Sequence, residues 1–228
     1  MCFSAEADIA LGLAVGVVGI DALRHVQHRR ELPLAALPML FAAHQFIEAF
    51  VWWGLDGQLS EAAANTAAYL YLGIAFVLPF VVPMTVRAIE TDETRRRVML
   101  GLALLGAVVS AVLLTALVRN GPSPAAEDLH VSYSVRVSNG LLLTLLYVLA
   151  TCGAFLAASP RRLVVVGALN LVAVALLGWL NTTGVISLWC AWAAVVSVLI
   201  ALHLRTENHA ESPHFAPVRG GGDARAHP

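Results

Sequence analysis

Lysine is missing altogether from the 228 residues, so all 14 basic residues are arginine. That absence excludes a retinal-type Schiff base in a last helix and any lysine-based covalent catalysis. Charge of either sign is scarce: 13% of residues are Asp, Glu or Arg, and the formal net charge is −1. A near-neutral chain offers little to a phosphate backbone, so nucleic acid is not expected as a partner. Cysteine is scarce too. Cys2, Cys152 and Cys190 lie far apart, unlike a CxxC pair, so no compact thiolate knuckle is encoded. The largest deficit is polar surface. With 59% hydrophobic residues and a mean hydropathy of +0.77, the chain is too apolar for a soluble domain of its size.

What is present is long apolar runs. Seven occur, at 5–23, 33–55, 64–87, 97–118, 138–158, 162–180 and 184–204. Each approaches the ~20 residues that carry a helix across about 30 Å of hydrocarbon. The expected fold is all-α, a polytopic bundle of seven transmembrane helices over residues 1–205. A Gly-, Pro- and His-containing tail at 206–228 lacks an apolar period and is expected to be disordered and cytoplasmic. Orientation follows from arginine. Loops at Arg24 to Arg30, Arg87 to Arg97 and Arg161 to Arg162, with Arg205 and the tail, place 12 on one side and leave Arg119 and Arg136 on the other. Positive charge stays inside, so the N-terminus is expected outside and the C-terminus in the cytoplasm. Glu6 and Asp8, with no basic residue ahead of them, argue against a cleaved signal peptide. All-Arg usage with abundant Ala and Val suits a GC-rich bacterial genome, and hence the bacterial inner or plasma membrane.

Two features concern packing. Gly12 and Gly16 form a small-xxx-small pair, which lets another helix approach closely, from this chain or a second copy. Pro79 and Pro83 should bend the third helix and widen the bundle. In the loop at 119–137, Asn120-Gly-Pro-Ser-Pro ends a helix. Leu129, Val131, Tyr133, Val135 and Val137 then alternate with His130, Ser132, Ser134 and Arg136. A period of two marks an extended segment with one apolar face. No partner strand is evident from the sequence. The segment reads either as an interfacial stretch on the bundle or as a lid over its outer mouth.

The chemistry rests on polar residues at membrane depth. His44 and Glu48 are four apart on the second helix and share one face. A carboxylate there costs at least ~2–3 kcal/mol unless it is neutral, paired or solvated by a cavity. The pair reads as helix-joining hydrogen bonding, as a general acid and base, or as part of a metal site. Cys2 and Cys190 reach the same exported half-membrane. They could form a disulfide, remain packing thiols, or complete a Cys2, His44, Glu48, Cys190 set suited to zinc or another thiophilic metal. All five tryptophans (Trp52, Trp53, Trp179, Trp189, Trp192) fall on the outer side. An ordinary aromatic belt marks both interfaces, so this asymmetry suits an aromatic-walled cavity opening outward. Trp52 and Trp189 would wall it, and Gln45, Asn170 and Ser187 would supply hydrogen bonds.

Met1-Cys2-Phe3-Ser4-Ala5, the second helix with Gln45, Glu48 and Trp52, and Ser187-Leu188-Trp189-Cys190 together resemble an uncharacterised family of bacterial seven-helix integral membrane proteins. The resemblance covers 1–204, implies a seven-helix membrane protein and brings no activity with it. Seven-helix zinc hydrolases of the alkaline ceramidase and adiponectin-receptor kind use three His ligands, whereas here His44 is alone in mid-membrane and His203 lies at the cytoplasmic end. The expected function is an outward-facing polar site between helices 1, 2 and 7 that binds a metal or a small ligand, with catalysis left open. The alternatives are a proton-linked carrier or sensor, which Glu48→Gln would silence, and a non-catalytic accessory subunit packed against a membrane partner.

Overall fold

In the computed structural model the described residues are 4–127, 130–180 and 185–211, with side chains described as far as 176 and again over 192–206. The chain is mostly helical. Seven α-helices follow the seven apolar runs: α1 (Ala5–Arg24), α2 (Leu32–Leu55), α3 (Glu61–Ile89), α4 (Glu93–Asn120), α5 (Gly140–Leu156), α6 (Arg161–Leu180) and α7 (Val185–Glu211). α7 therefore continues six residues beyond Arg205. Residues 212–228 lie outside the described residues. Local chemistry sets the helix starts. Ser4 Oγ accepts from the Ala7 N–H, Ser60 Oγ from Ala63, and Asp92 Oδ1 from Arg95, each satisfying an orphan donor of a first turn. Among the described residues, α2 with its preceding 3-10 turn (Arg29–Leu55), α3 and α4 are long and apolar enough to cross a membrane.

Short loops make successive helices antiparallel. α1, α2, α3, α5, α6 and α7 pack in a closed circuit, α2 also meets α7, and α4 leans on α3 and α5 from outside. Glycine sets the closest approaches. A Cβ on Gly12 would lie 3.2 Å from the Phe46 ring and 3.3 Å from the Ala42 oxygen, and one on Gly19 would lie 2.7 Å from Met39 Sδ. The small residues of α1 thus seat it on α2 of its own chain.

The two prolines of α3 create contact points. Pro79 has no N–H, so the Ala75 carbonyl loses its helical donor; the Tyr147 hydroxyl of α5 donates to it instead, at 2.8 Å. Pro83 likewise frees the Pro79 carbonyl, and there α4 comes so close that a Cβ on Gly106 would stand 1.8 Å from that oxygen.

The segment after α4 is a β-hairpin. β1 (Ser123–Glu127) pairs antiparallel with β2 (His130–Ser134), in a register that sets Pro124 opposite Tyr133 and Ala126 opposite Val131. The expectation that the alternating segment has no partner strand is corrected here. Ser-Pro-Ala-Ala-Glu has neither β-branched residues nor alternation, so its sequence carries no strand signal; it pairs because β2 follows at once and needs its backbone bonds met.

Two apolar cores fill the bundle. One, towards the arginine-rich loops, holds Leu34, Val86, Met99, Leu163 and Ile200. The other, beneath the hairpin, holds Ala49, Trp52, Ala68, Tyr71, Leu72 and Val131.

Candidate functional site

Between the two cores lies a cavity of about 670 Å³, walled by α2, α3, α5, α6 and α7 with Leu113 of α4, and roofed by Ser132 to Val135 and Val137 of the hairpin segment. A volume in the 300–1,000 Å³ range is what small-molecule sites occupy. Most of the wall is apolar. Leu37, Phe41, Leu78, Val82, Phe155 and Val196 line it on the side of the arginine-rich loops. Leu141, 76% exposed, also lines it, so the cavity reaches the surface beside the start of α5.

The roof is pinned by stacked rings. His44 of α2 lies on Tyr71 of α3 with centroids 3.9 Å apart and planes 16° from parallel. Tyr71 in turn stacks on Tyr133 of β2 at 4.6 Å and 19°. His44 Nε2 is 2.9 Å from the Tyr71 carbonyl oxygen; a carbonyl only accepts, so this nitrogen carries the proton. Three chain segments are joined in this one column. Val131, fully buried beside Tyr71 and Trp52, completes the anchor. His130 Nε2 lies 3.1 Å from Glu127 Oε2 across the strand pair.

Polar groups in the wall differ in how far they are occupied. Tyr147 gives its hydroxyl proton to the Ala75 carbonyl, and Thr151 gives its own to the Tyr147 carbonyl. Asn170 Nδ2 lies 3.3 Å from Cys152 Sγ, while Asn170 Oδ1 is buried with no hydrogen-bond partner among the described residues. Gln45 is the extreme case. It is 1% exposed, and both its amide oxygen and its amide nitrogen lack a partner among the described residues. Each buried polar atom left unpaired costs about 1–3 kcal/mol, a deficit that a ligand in the cavity could remove.

Of the residues expected from sequence, His44, Gln45 and Asn170 come together around this cavity. Glu48 is fully buried one turn from His44, and Trp52 is buried in the hairpin-side core; neither is in the cavity wall among the described residues. Cys2, Ser187, Trp189 and Cys190 lie outside the residues whose side chains are described. Among the described residues no three of His, Cys, Asp and Glu stand close enough to hold a metal ion. Sequence reasoning placed Tyr71, with Tyr69, among the outer-side aromatic residues and missed Thr144, Tyr147 and Thr151, single polar residues in apolar runs. It also missed Asp8, which it read only as flanking charge. Asp8 is 0% exposed, as is Glu48. Because Gly12 meets Ala42 and Phe46 while Gly19 meets Met39, the antiparallel register brings Asp8 level with Glu48.

The chain matches the model for a family of unknown function (DUF6629) over residues 1–214, and it belongs to that family. No curated protein and no solved structure matches it.

Proposed function

We propose that this chain is a multi-pass membrane protein that binds a small, largely apolar molecule in the cavity beneath its hairpin. Seven crossings put the hairpin outside and the C-terminus in the cytoplasm. Two observations support membrane residence. Large apolar side chains face outward along the helices, such as Leu104, Val108 and Leu145, while Asp8, His44, Gln45, Glu48 and Asn170 face inward, the reverse of a soluble surface. The arginines of the loops α1–α2, α3–α4 and α5–α6 gather at one end of the bundle, as the positive-inside rule requires.

The observation that carries the binding reading is Gln45, a fully buried carboxamide with no partner among the described residues, set in the wall of a drug-sized cavity. Native mass spectrometry of the protein extracted from its own membrane tests it. A discrete small molecule should accompany wild type and be lost from Ala193→Phe, which fills the cavity from α7. Wild type and variant carrying the same adducts would refute the reading. Topology is read separately, by labelling cysteines placed at Ser134 and in the tail from either side of the membrane.

A second reading, a metal centre, is supported by the burial of Asp8 level with Glu48. With Cys2 and Cys190 they would offer two carboxylates and two thiolates to zinc. Metal analysis of purified wild type beside Asp8→Asn decides it. Absence of stoichiometric metal from wild type would end that reading.

A further inference from the structure

Resting on the cavity reading above, we infer that the ligand is an uncharged amphiphile, with a carboxamide or alcohol head on a single apolar chain. Size comes first. About 670 Å³ is some twenty times a water's ~30 Å³ share of the liquid, room for an amphiphile of on the order of twenty non-hydrogen atoms.

The head group follows from the atoms left open. Gln45 offers two N–H donors and a carbonyl acceptor, all buried without a partner among the described residues. Asn170 has committed Nδ2 to Cys152 and presents only Oδ1, so it needs a donor from the ligand. A carboxamide or a hydroxyl both donates and accepts. An ether, an ester or a bare hydrocarbon leaves Asn170 Oδ1 unmet. Charge is excluded by the wall itself. Among the described residues no Asp, Glu or Arg lines the cavity, and His44 Nε2 is engaged with the Tyr71 carbonyl. A carboxylate or an ammonium entering here would lose its hydration and find no counter-charge.

The chain has a place as well. Gln45 and Asn170 come from the middle of α2 and α6, and on the arginine-loop side of them the wall is Leu37, Leu78, Val82, Phe155 and Val196. The exposed Leu141 and Thr144 mark the opening along α5. An amphiphile can therefore pass sideways from lipid, tail inward, without crossing the hairpin.

The test uses the full chain in lipid nanodiscs at about pH 8, above the usual carboxyl range, with dodecanamide, dodecanol, dodecanoate and dodecyltrimethylammonium as chain-matched probes. Binding is read by native mass spectrometry and by displacement of a fluorescent fatty alcohol. The amide and the alcohol should bind one per chain, at least ~100-fold more tightly than either ion. Gln45→Leu and Asn170→Leu should each reduce that preference about ten-fold or more while the chain still binds. Ions binding as tightly as the neutral probes would overturn the ligand class and leave the cavity reading standing. The preference surviving both substitutions would overturn the placement of the head. No probe binding one per chain, with Ala193→Phe indistinguishable from wild type, would remove the cavity reading and this inference together.

Discussion

The two ends of the bundle solve the same problem, tying helices together, in opposite ways. At the arginine-rich end the ties are ionic and satisfied. The Glu90 carboxylate, capping α3, accepts from the N–H groups of Thr91, Asp92 and Ser159 and from the Ser159 hydroxyl, all at 2.7–2.9 Å. Arg95 Nη1 donates to the Ala157 and Ala158 carbonyls that end α5. Arg205 meets Asp21 through two bonds, joining α7 to α1. At the hairpin end the tie is a column of three rings, and beneath it Gln45 and Asn170 hold polar atoms that no described residue satisfies. Glu90, Arg95 and Arg205 have their charged groups paired where they fasten the loops, while Gln45 and Asn170 keep unpaired atoms where a ligand is proposed, the kind of local exception that functional sites leave.

Gly106 stands between the two ends and should break both. Gly106→Ala places a methyl 1.8 Å from the Pro79 oxygen, a rigid backbone atom, so α3 and α4 must separate. The cost should reach about 3 kcal/mol, the upper part of the overpacking range. A thermal melt in detergent would register this as a drop of roughly 6–12 °C. Gly101→Ala, on the same helix but facing open space, is the control and should be neutral or stabilising by up to about 1 kcal/mol. Equal melts for the two would mean that α4 is not fixed by that contact. Tyr133→Ala should act on the hairpin end alone. Losing one ring of the stack and its burial should cost about 2–3 kcal/mol. Hydrogen exchange should quicken over Ser123–Ser134 while the α3–α4 and α5–α6 loops keep their protection. Loosening at both ends would dissolve the division between them.

Glu90→Gln is the converse experiment. An amide nitrogen cannot accept, so part of the set of bonds to the loop between α5 and α6 is lost, at about 1.5–2 kcal/mol. The hairpin and its cavity should be unaffected. The pH dependence has a definite sign. Burial works to raise the Glu90 carboxyl, but the bonds from Asp92, Ser159 and Thr91 outweigh it and hold the group below its ordinary value of 4.5. The unfolded chain therefore takes up the proton first. The contribution is fully present well above pH 4.5 and is lost as pH falls through the lower folded value. Wild type should destabilise in that acidic window more steeply than Glu90→Gln. Parallel acid melts of the two proteins would show that Glu90 does not hold the loops.

How much of this was legible beforehand depended on the length scale of the signal. The seven helices were readable, and their bounds agree within a few residues except at α3, α4 and α7, because apolar runs near twenty residues leave little else to form. His44, Gln45 and Asn170 were readable because polar residues at that depth stand out against Leu and Val. Three things were not. The strand Ser123–Glu127 borrows its structure from its neighbour and has no pattern of its own. Tyr147 became a wall residue through Pro79, which sits 68 positions away in sequence and leaves the carbonyl that Tyr147 serves. Asp8 lay at the edge of its apolar run, where a charge reads as flanking; only the glycine-set register of α1 against α2 brings it level with Glu48. Long-range register is the information that a single sequence withholds.

The smallest effect should come from the most conspicuous ion pair. Arg205 meets Asp21 with both carboxylate oxygens at 2.6 and 2.7 Å, a bidentate geometry that is usually strong. Yet the arginine side chain is 48% exposed, and water competes for both partners. α1 is also seated on α2 by Gly12 and Gly19, and α7 packs on α6 and α2 as well as on α1, so the joint does not depend on this pair. Arg205→Gln should therefore lower the melting temperature by less than Glu90→Gln does. The difference from wild type should vanish at about 1 M salt, where the screening length falls to ~3 Å, whereas the Glu90 effect, made of four short, partly buried bonds to a 4% exposed carboxylate, should persist. A salt-resistant loss from Arg205→Gln as large as that from Glu90→Gln would show that this pair, and not the packing of both helices on α2, holds the first helix to the last.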